Sequence, residues 1–256
     1  MNTVELRANG TATHGWIRRI ARWVTVAALG IWVALALLVS AGLGFGMRTL
    51  LVGMKTPPLL TAELFTRDAK SFSDLPDTPA IPVLHRDFGP AIGVSDGRRL
   101  YDMVVSRGYR RALDVGTGNG YAALWLGMAM RATGGKAITI EIDPATARQA
   151  RRNIQDAQLE NVVDLRINDV FREVPAIPGD FDFVFLDLGG VHHERLLEML
   201  SPRLAPGGAI VSHNALGLRF TAAGYLPAAW RNANLETGIL PTLSGGLAIS
   251  VKTARE

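Results

Sequence analysis

From residue 112 onward the chain alternates short apolar runs with helical patterns, and this alternation constrains its fold more than any other feature. The runs Ala112–Val115, Ala137–Ile142, Val163–Ile167, Phe181–Leu186, Ala209–Ser212, Glu236–Leu240 and Leu247–Val251 have strand length and apolar character. Between them, Tyr121–Ala132, Thr146–Ala157, His193–Leu204 and Ala222–Asn232 carry apolar residues at helical spacing, and another helix is expected from an N-cap at Ser95 to Ser106. A parallel crossover needs a helix to return the chain, so this order predicts an α/β fold: a mainly parallel sheet with helices on both faces. The last two strands lack an intervening helix and read as a hairpin, which places one antiparallel strand at the end of the sheet. Ligands on such sheets bind outside the carboxyl ends of the strands.

The N-terminal part has a different character. Trp23 to Met47 is a run of 25 residues without a charge, flanked by Arg18, Arg19 and Arg22 before it and Arg48 and Lys55 after it. As a helix it would be about 37 Å long, more than the hydrocarbon thickness of a bilayer. A membrane-anchoring helix is the reading it supports best. A cleaved signal peptide is disfavoured because the run is too long for an h-region and no clean A-x-A site follows. A buried helix would need protein all round it. The expected organisation is a basic arm over 1–22, the membrane helix over 23–47, a proline-rich linker and extended lead-in over 48–90, and a compact domain over 91–256.

The formal charge of +4 comes from 27 Lys+Arg against 23 Asp+Glu. Residues 1–70 hold eight of the former and three of the latter, a balance of +5, which leaves 19 and 20, a balance of −1, for the remainder. The basic character therefore belongs to the arm, and the domain offers no basic surface for phosphates, so no nucleic-acid partner is expected. There is no cysteine, which excludes disulfide scaffolds, thiolate metal sites and cysteine nucleophiles.

The first strand runs into Asp114-Val115-Gly116-Thr117-Gly118-Asn119-Gly120-Tyr121 and then a helix. Glycines here let the backbone approach a ligand closely, as a nucleoside-binding turn requires. The G-x-G-x-G spacing departs from the dinucleotide pattern G-x-G-x-x-G, and alone it is equally consistent with tight packing. The second strand ends at Glu141, where a carboxylate can accept hydrogen bonds from ribose hydroxyls. Asp143-Pro144 beside it reads as an N-cap with proline at the first helical position. Asn168-Asp169 after the third strand is open between a contact to an adenine amino group and a plain turn.

The ordered set Asp114–Tyr121, Glu141, Asp169, Phe181–Asp187 and Leu204-Ala205-Pro206-Gly207-Gly208 resembles the class I S-adenosylmethionine-dependent methyltransferases. More narrowly it resembles the O-methyltransferases related to catechol and caffeoyl-CoA O-methyltransferase, over residues 90 to 252. The resemblance implies a Rossmann-like sheet of order 3-2-1-4-5-7-6 with strand 7 antiparallel. It implies S-adenosyl-L-methionine held by Asp114, Gly116, Thr117, Gly118, Gly120 and Tyr121, with Glu141 on the ribose and Asp169 near the adenine. It also implies a divalent metal ion held by an Asp after strand 4 and an Asp-Asn pair after strand 5. Here Asp187, His213 and Asn214 stand at those positions, so the middle carboxylate is a histidine, and the family's lysine after the first Asp is replaced by Leu188-Gly189-Gly190.

Three roles for His213 stay open: metal ligand in a modified site, metal-free general base, or structural residue. Asp187 and His213 are the candidate catalytic residues, while His192 and His193 are more simply read as an exposed pair opening a helix. The resulting expectation is a membrane-anchored methyltransferase acting on a hydroxyl of a small aromatic or lipid-like acceptor. A non-catalytic S-adenosylmethionine-binding module is the alternative. The charge bias around the helix favours an external domain, but the cytoplasmic location of the cofactor outweighs it, so a cytoplasmic domain is expected. A homodimer is left open.

Overall fold

A computed structural model describes residues 75–89, 91–188, 192–215, 224–242 and 244–253. The basic arm, the expected membrane helix at 23–47 and most of the linker lie outside the described residues. Among the described residues, no helix is long and apolar enough to cross a membrane.

Helix α1 spans Ala80–Leu84 and α2 Val94–Arg107; β1 is Arg111–Val115, α3 Tyr121–Thr133, β2 Lys136–Glu141, α4 Pro144–Asp156 and β3 Val163–Ile167. Then come α5 Val170–Ala176, β4 Phe181–Leu186, α6 His193–Leu200, a 3-10 turn at Ser201–Arg203, β5 Leu204–His213, α7 Tyr225–Arg231, β6 Leu235–Leu240 and β7 Leu247–Lys252. The seven strands form one sheet of order 3-2-1-4-5-7-6. Strands β1 to β5 pair in parallel, and β7 runs antiparallel to both β5 and β6, as the hairpin at the end of the chain requires.

The central strands are buried on both faces. Ala112, Leu113, Asp114 and Val115 of β1 are all buried, and so are Phe183 to Leu186 of β4. Side-chain alternation sends Phe183 and Phe185 to one face, where α1, α2 and α3 supply Leu84, Leu100, Val104 and Trp125. Val184 and Leu186 point to the other, against Val174, Leu196, Leu197 and Leu226 of α5, α6 and α7. A register shift between Phe181 and Phe183 lets Phe181 join that second face out of phase. Helix α3 is buried at every position from Tyr121 to Met130, because it lies between the sheet and the lead-in helices.

Several boundaries differ from those the sequence suggested. The helix expected over His193–Leu204 ends at Leu200, since Pro202 lies in the following 3-10 turn, and β5 starts five residues before Ala209. The segment expected as an extended lead-in contains α1, whose Ala80, Val83 and Leu84 are in the core. Helix α5, with Pro175 inside it, fills a crossover to which no helix was assigned. The N-cap of α2 is Gly93 and not Ser95, so Asp96 falls in the first helical turn. Asp143 does cap α4, accepting from Thr146 N at 2.7 Å with Pro144 following it.

Candidate active site

The carboxyl ends of β1, β2, β4 and β5 meet at one edge of the sheet. The loop after β1 is anchored by Gly116 N and Thr117 N, which both donate to Ile140 O on β2, at 3.1 and 3.2 Å. Gly116 has φ of +94°, and a Cβ there would stand 2.5 Å from Asp187 O, so the loop is pressed against the end of β4. Gly118, also at positive φ, faces open space. Glu141 closes the loop from the side of β2: Oε2 accepts from Gly118 N at 2.8 Å and Oε1 from Asp143 N at 3.0 Å. Two backbone donors hold the carboxylate in place, with its remaining lone pairs turned to the rim.

A cavity of about 350 Å³ lies over this loop, lined by Gly116, Thr117, Gly118, Tyr121, Glu141 and Asp187, with Ala91, Ile92, Asn119, Ala122 and Leu188 completing the wall. The volume falls in the range of small-molecule sites. The lead-in is tied to it. Asn119 Nδ2 donates to Phe88 O, and the Phe88 ring packs edge-on against Tyr121 with centroids 4.8 Å apart. Ala91 and Ile92 come from the lead-in and carry no motif that would single them out as lining residues. Ile142, next to Glu141, is 68% exposed, an unusual position for an isoleucine, and it adds an apolar surface on the same edge.

The other expected cofactor residues divide into two groups. Asp114 and Thr117 act from below the loop. Thr139 Oγ1 donates to Asp114 Oδ2 at 2.7 Å and is itself 2.5 Å from Thr117 Oγ1, which leaves Thr117 to donate. Asp114 is fully buried, and burial pushes its carboxyl up to about 7 despite the Thr139 hydrogen bond, with the nearby Asp187 and Glu141 charges adding to the rise. Gly120 faces α4 and not the cavity: a Cβ there would stand 3.2 Å from Ala150 Cα. Asp169 does not line the cavity either. It caps α5, accepting from Phe171 N at 2.8 Å, which is what its turn-forming character predicts.

Asp187, His213 and Asn214 do come together. His213 Nδ1 is 3.0 Å from Asp187 Oδ1, and Asn214 Nδ2 is 3.2 Å from the same ring nitrogen. Asn214 has left-handed backbone, φ 59°, a conformation concentrated at functional sites. On the other side of the ring, Nε2 lies 3.5 Å from Asp96 Oδ2 as a loose ion-pair contact and has no hydrogen-bond partner among the described residues. Burial alone would lower the His213 pKa, but the hydrogen bond to Asp187, the contact with Asp96 and the charges of both outweigh it and push the imidazole up to about 9. A pKa raised in this direction favours the charged ring at neutral pH. Its side chain is 7% exposed, against 27% for Asp187.

The same arrangement does not fit a divalent cation. One ring nitrogen faces Asp187 and Asn214, and the other is buried against Asp96. Among the described residues, no group of three His, Asp or Glu side chains is placed to hold a metal. The three expected metal ligands, Asp187, His213 and Asn214, lie together as a hydrogen-bonded cluster.

His193 is buried, contrary to the exposed helix start expected for it. Its Nε2 donates to Leu188 O at 2.9 Å and its Nδ1 accepts from Ser212 at 2.7 Å, so it fastens the segment after Asp187 to β5. Burial lowers its pKa and keeps it neutral, as that pairing demands. His192 is exposed and packs edge-on against Phe171.

Residues 113–215 match the methyltransferase-domain family. A catechol O-methyltransferase of Niastella koreensis is 28% identical over 133 residues, which cover 50% of this chain and 60% of that protein. A catechol O-methyltransferase of Mycobacterium tuberculosis is 29% identical over 124 residues, covering 47% of this chain and 54% of that protein. The chain thus spans little more than half the length of these curated relatives. The crystal structure of an O-methyltransferase from Bacillus cereus in complex with SAH has the same fold, with a TM-score of 0.61 at 20% identity over 75% of this chain and 99% of that one. Sheet order and glycine loop give the chain the Rossmann-like fold of that structure. In sequence it is similar to O-methyltransferases of the catechol type.

Proposed function

We propose that this chain is an S-adenosylmethionine-dependent O-methyltransferase acting on a small hydroxylated aromatic or lipid-like acceptor. The observation that carries the reading is the cavity whose floor is the glycine loop, whose side is Glu141 and whose far wall is Asp187. In this reading the cofactor lies over Gly116 to Gly118 with its ribose hydroxyls on Glu141 and its adenine on the apolar surface of Ile142. Asp187, after β4, would border the side of the cavity where the acceptor binds.

Methyl transfer is an in-line displacement. The acceptor oxygen forms a bond to the methyl carbon as the carbon–sulfur bond breaks, and the hydroxyl proton leaves. Products are the methyl ether, S-adenosylhomocysteine and a proton. Asp187 is the carboxylate that receives this proton, and His213 holds it by donating from Nδ1. Most of the rate comes from alignment of oxygen, carbon and sulfur in a site bordered by Ala91 and Ile92. We also infer that 23–47 anchors the chain in a membrane with the domain on the cytoplasmic side, which would concentrate the enzyme where a bilayer-partitioning acceptor is found.

The decisive experiment incubates the full chain with radiolabelled S-adenosylmethionine and panels of phenols, catechols, quinols and lipid extracts. Label in an acceptor supports the reading. Cofactor binding without transfer to any acceptor would leave the alternative, a non-catalytic cofactor-binding module, which the absent lysine after Asp187 favours. Protease accessibility in intact against lysed cells tests the topology: cleavage of the domain in intact cells would place it outside.

A further inference from the structure

The near-neutral balance of the domain hides a local concentration of positive charge. From Pro144 to Gln155 helix α4 contains no acidic residue, and its three arginines, Arg148, Arg151 and Arg152, are all exposed. They stand away from Ala147, Ala150 and Ile154, which bury the inner face of the helix. Among the described residues none of the three is ion-paired with a carboxylate, and Arg152 donates to Gln149 of the same helix. The carboxylates that bracket the run are already engaged: Asp143 caps α4 through Thr146, and Asp156 pairs with Arg86 of the lead-in. Beyond the end of α4, exposed Arg131 donates to the main-chain oxygen of Gln158, a bond that leaves its charge uncompensated. This charge does not serve the helix. Arg148 is spaced three and four residues from Arg151 and Arg152, and like charges at those spacings repel on a helix surface. The arrangement becomes favourable against an anionic partner outside the chain. Guanidinium groups along a helix about 20 Å long suit a plane of phosphates, to which each can donate in pairs.

We propose that the outward face of α4 docks on an anionic bilayer surface, with Arg148, Arg151 and Arg152 among the lipid phosphates. Two observations favour a bilayer over nucleic acid. Without these three arginines, residues 71–256 hold 16 Lys+Arg against 20 Asp+Glu, so the rest of the domain has no excess of positive charge with which to follow a phosphate backbone. The chain also carries, at 23–47, an uncharged run of bilayer-spanning length. The choice of a bilayer rests on the membrane reading of that run; the charge of the α4 face does not. The leaflet that faces the cytoplasm, where the domain is proposed to lie, is the anionic one. Helix α4 begins three residues after Glu141, a wall of the cofactor cavity, so docking brings that cavity to the bilayer surface, within reach of an acceptor that partitions there.

The test reconstitutes the full chain in phosphatidylcholine vesicles with increasing amounts of phosphatidylglycerol. The chain has no cysteine, so Gln155→Cys places a single dye on the exposed face of α4. Glu198→Cys, exposed on α6 across the sheet, is the control. Energy transfer to an acceptor-labelled lipid should rise with phosphatidylglycerol for the Gln155 dye, rise less for the Glu198 dye, and fall as salt screens the exposed charges. Arg148→Gln, Arg151→Gln and Arg152→Gln together should weaken docking by about 100-fold, at roughly fivefold for each basic residue near an anionic surface. The affinity for S-adenosylmethionine should not change. Arg151→Gln alone should weaken docking about fivefold and covers the case in which the triple variant does not fold. Transfer indifferent to phosphatidylglycerol, equal rises at the two dyes, or unchanged docking in the triple variant would each overturn the proposal. So would retardation of a DNA or RNA oligomer that the triple variant loses while its transfer to lipid stays the same, which would assign the face to nucleic acid. Failure of the chain to float with vesicles of phosphatidylcholine alone would instead remove the membrane-anchor reading, and flotation with phosphatidylglycerol vesicles would then decide the role of α4.

Discussion

A Cβ on Gly116 would stand 2.5 Å from the main-chain oxygen of Asp187, so the glycine loop and the strand end bearing the proposed catalytic carboxylate are in direct contact. Two neighbouring glycines therefore serve different ends. Gly116 has no room for a side chain, and Gly118 has open space around it but a backbone at φ +55°. Gly116→Ala should displace Asp187 and cost about 2 to 4 kcal/mol in unfolding free energy, from steric overlap plus left-handed strain. Gly118→Ala should cost only about 1 to 2 kcal/mol, the backbone term alone. Denaturant titration separates the two, and calorimetry should show that Gly118→Ala loses cofactor affinity out of proportion to its stability. Equal losses of stability would contradict the assignment.

Glu141 holds the loop through Gly118 N and Asp143 N, and in the proposed function it also receives the ribose. Glu141→Ala should weaken S-adenosylmethionine binding by about 10- to 100-fold, since it removes acceptors for charge-assisted hydrogen bonds worth roughly 1.5 to 3 kcal/mol. Glu141→Gln, which keeps one acceptor, should lie between. Unchanged affinity in Glu141→Ala would remove this residue from the cofactor site.

The His213 pKa is raised to about 9 from an ordinary value near 6.5, so its cluster with Asp187 and Asp96 contributes stability that is complete below about pH 6.5 and is lost as pH rises through 9. Thermal unfolding of the wild type should therefore show a melting temperature that falls across that window. His213→Gln should lack this fall. A variant that keeps the same slope would show that another group titrates there.

Asp114 acts in a lower window. Its folded-state pKa is raised to about 7 from 3.8, so the folded chain binds a proton that the unfolded chain has lost. The favourable contribution is complete below about 3.8 and is gone once pH has risen through 7, leaving a buried charge with one oxygen unpartnered. Asp114→Asn retains an acceptor for Thr139 and removes the charge. It should be more stable than the wild type at pH 8, and its advantage should shrink at pH 5. A constant difference at the two pH values would show that Asp114 does not titrate in this way.

Much of the domain was legible from local pattern. The alternation from Ala112 to Val251 predicted all seven strands, and the resemblance supplied their order. Gly116, Gly118, Tyr121 and Glu141, singled out by the short-range spacing of the glycine loop and its carboxylate, line one cavity. Tertiary contacts add what the motif does not show: Gly120 is the point where α3 meets α4 at Ala150, and Asp169 caps a helix. Helix α5 was not assigned because Pro175 lowers the helical signal of a short segment.

What the sequence alone determined was the architecture, the cofactor loop and the identities of Asp187, His213 and Asn214 at the strand ends, because these follow from periodicity and from residues close together in the chain. Only the tertiary structure decided what surrounds His213. Asp96, held by Thr242 and Ser244, lies far from it in sequence and is brought to it by α2 and the β6–β7 loop. A histidine's protonation and its availability to a metal are set by the charges packed against both ring nitrogens, and in this fold those charges come from different elements.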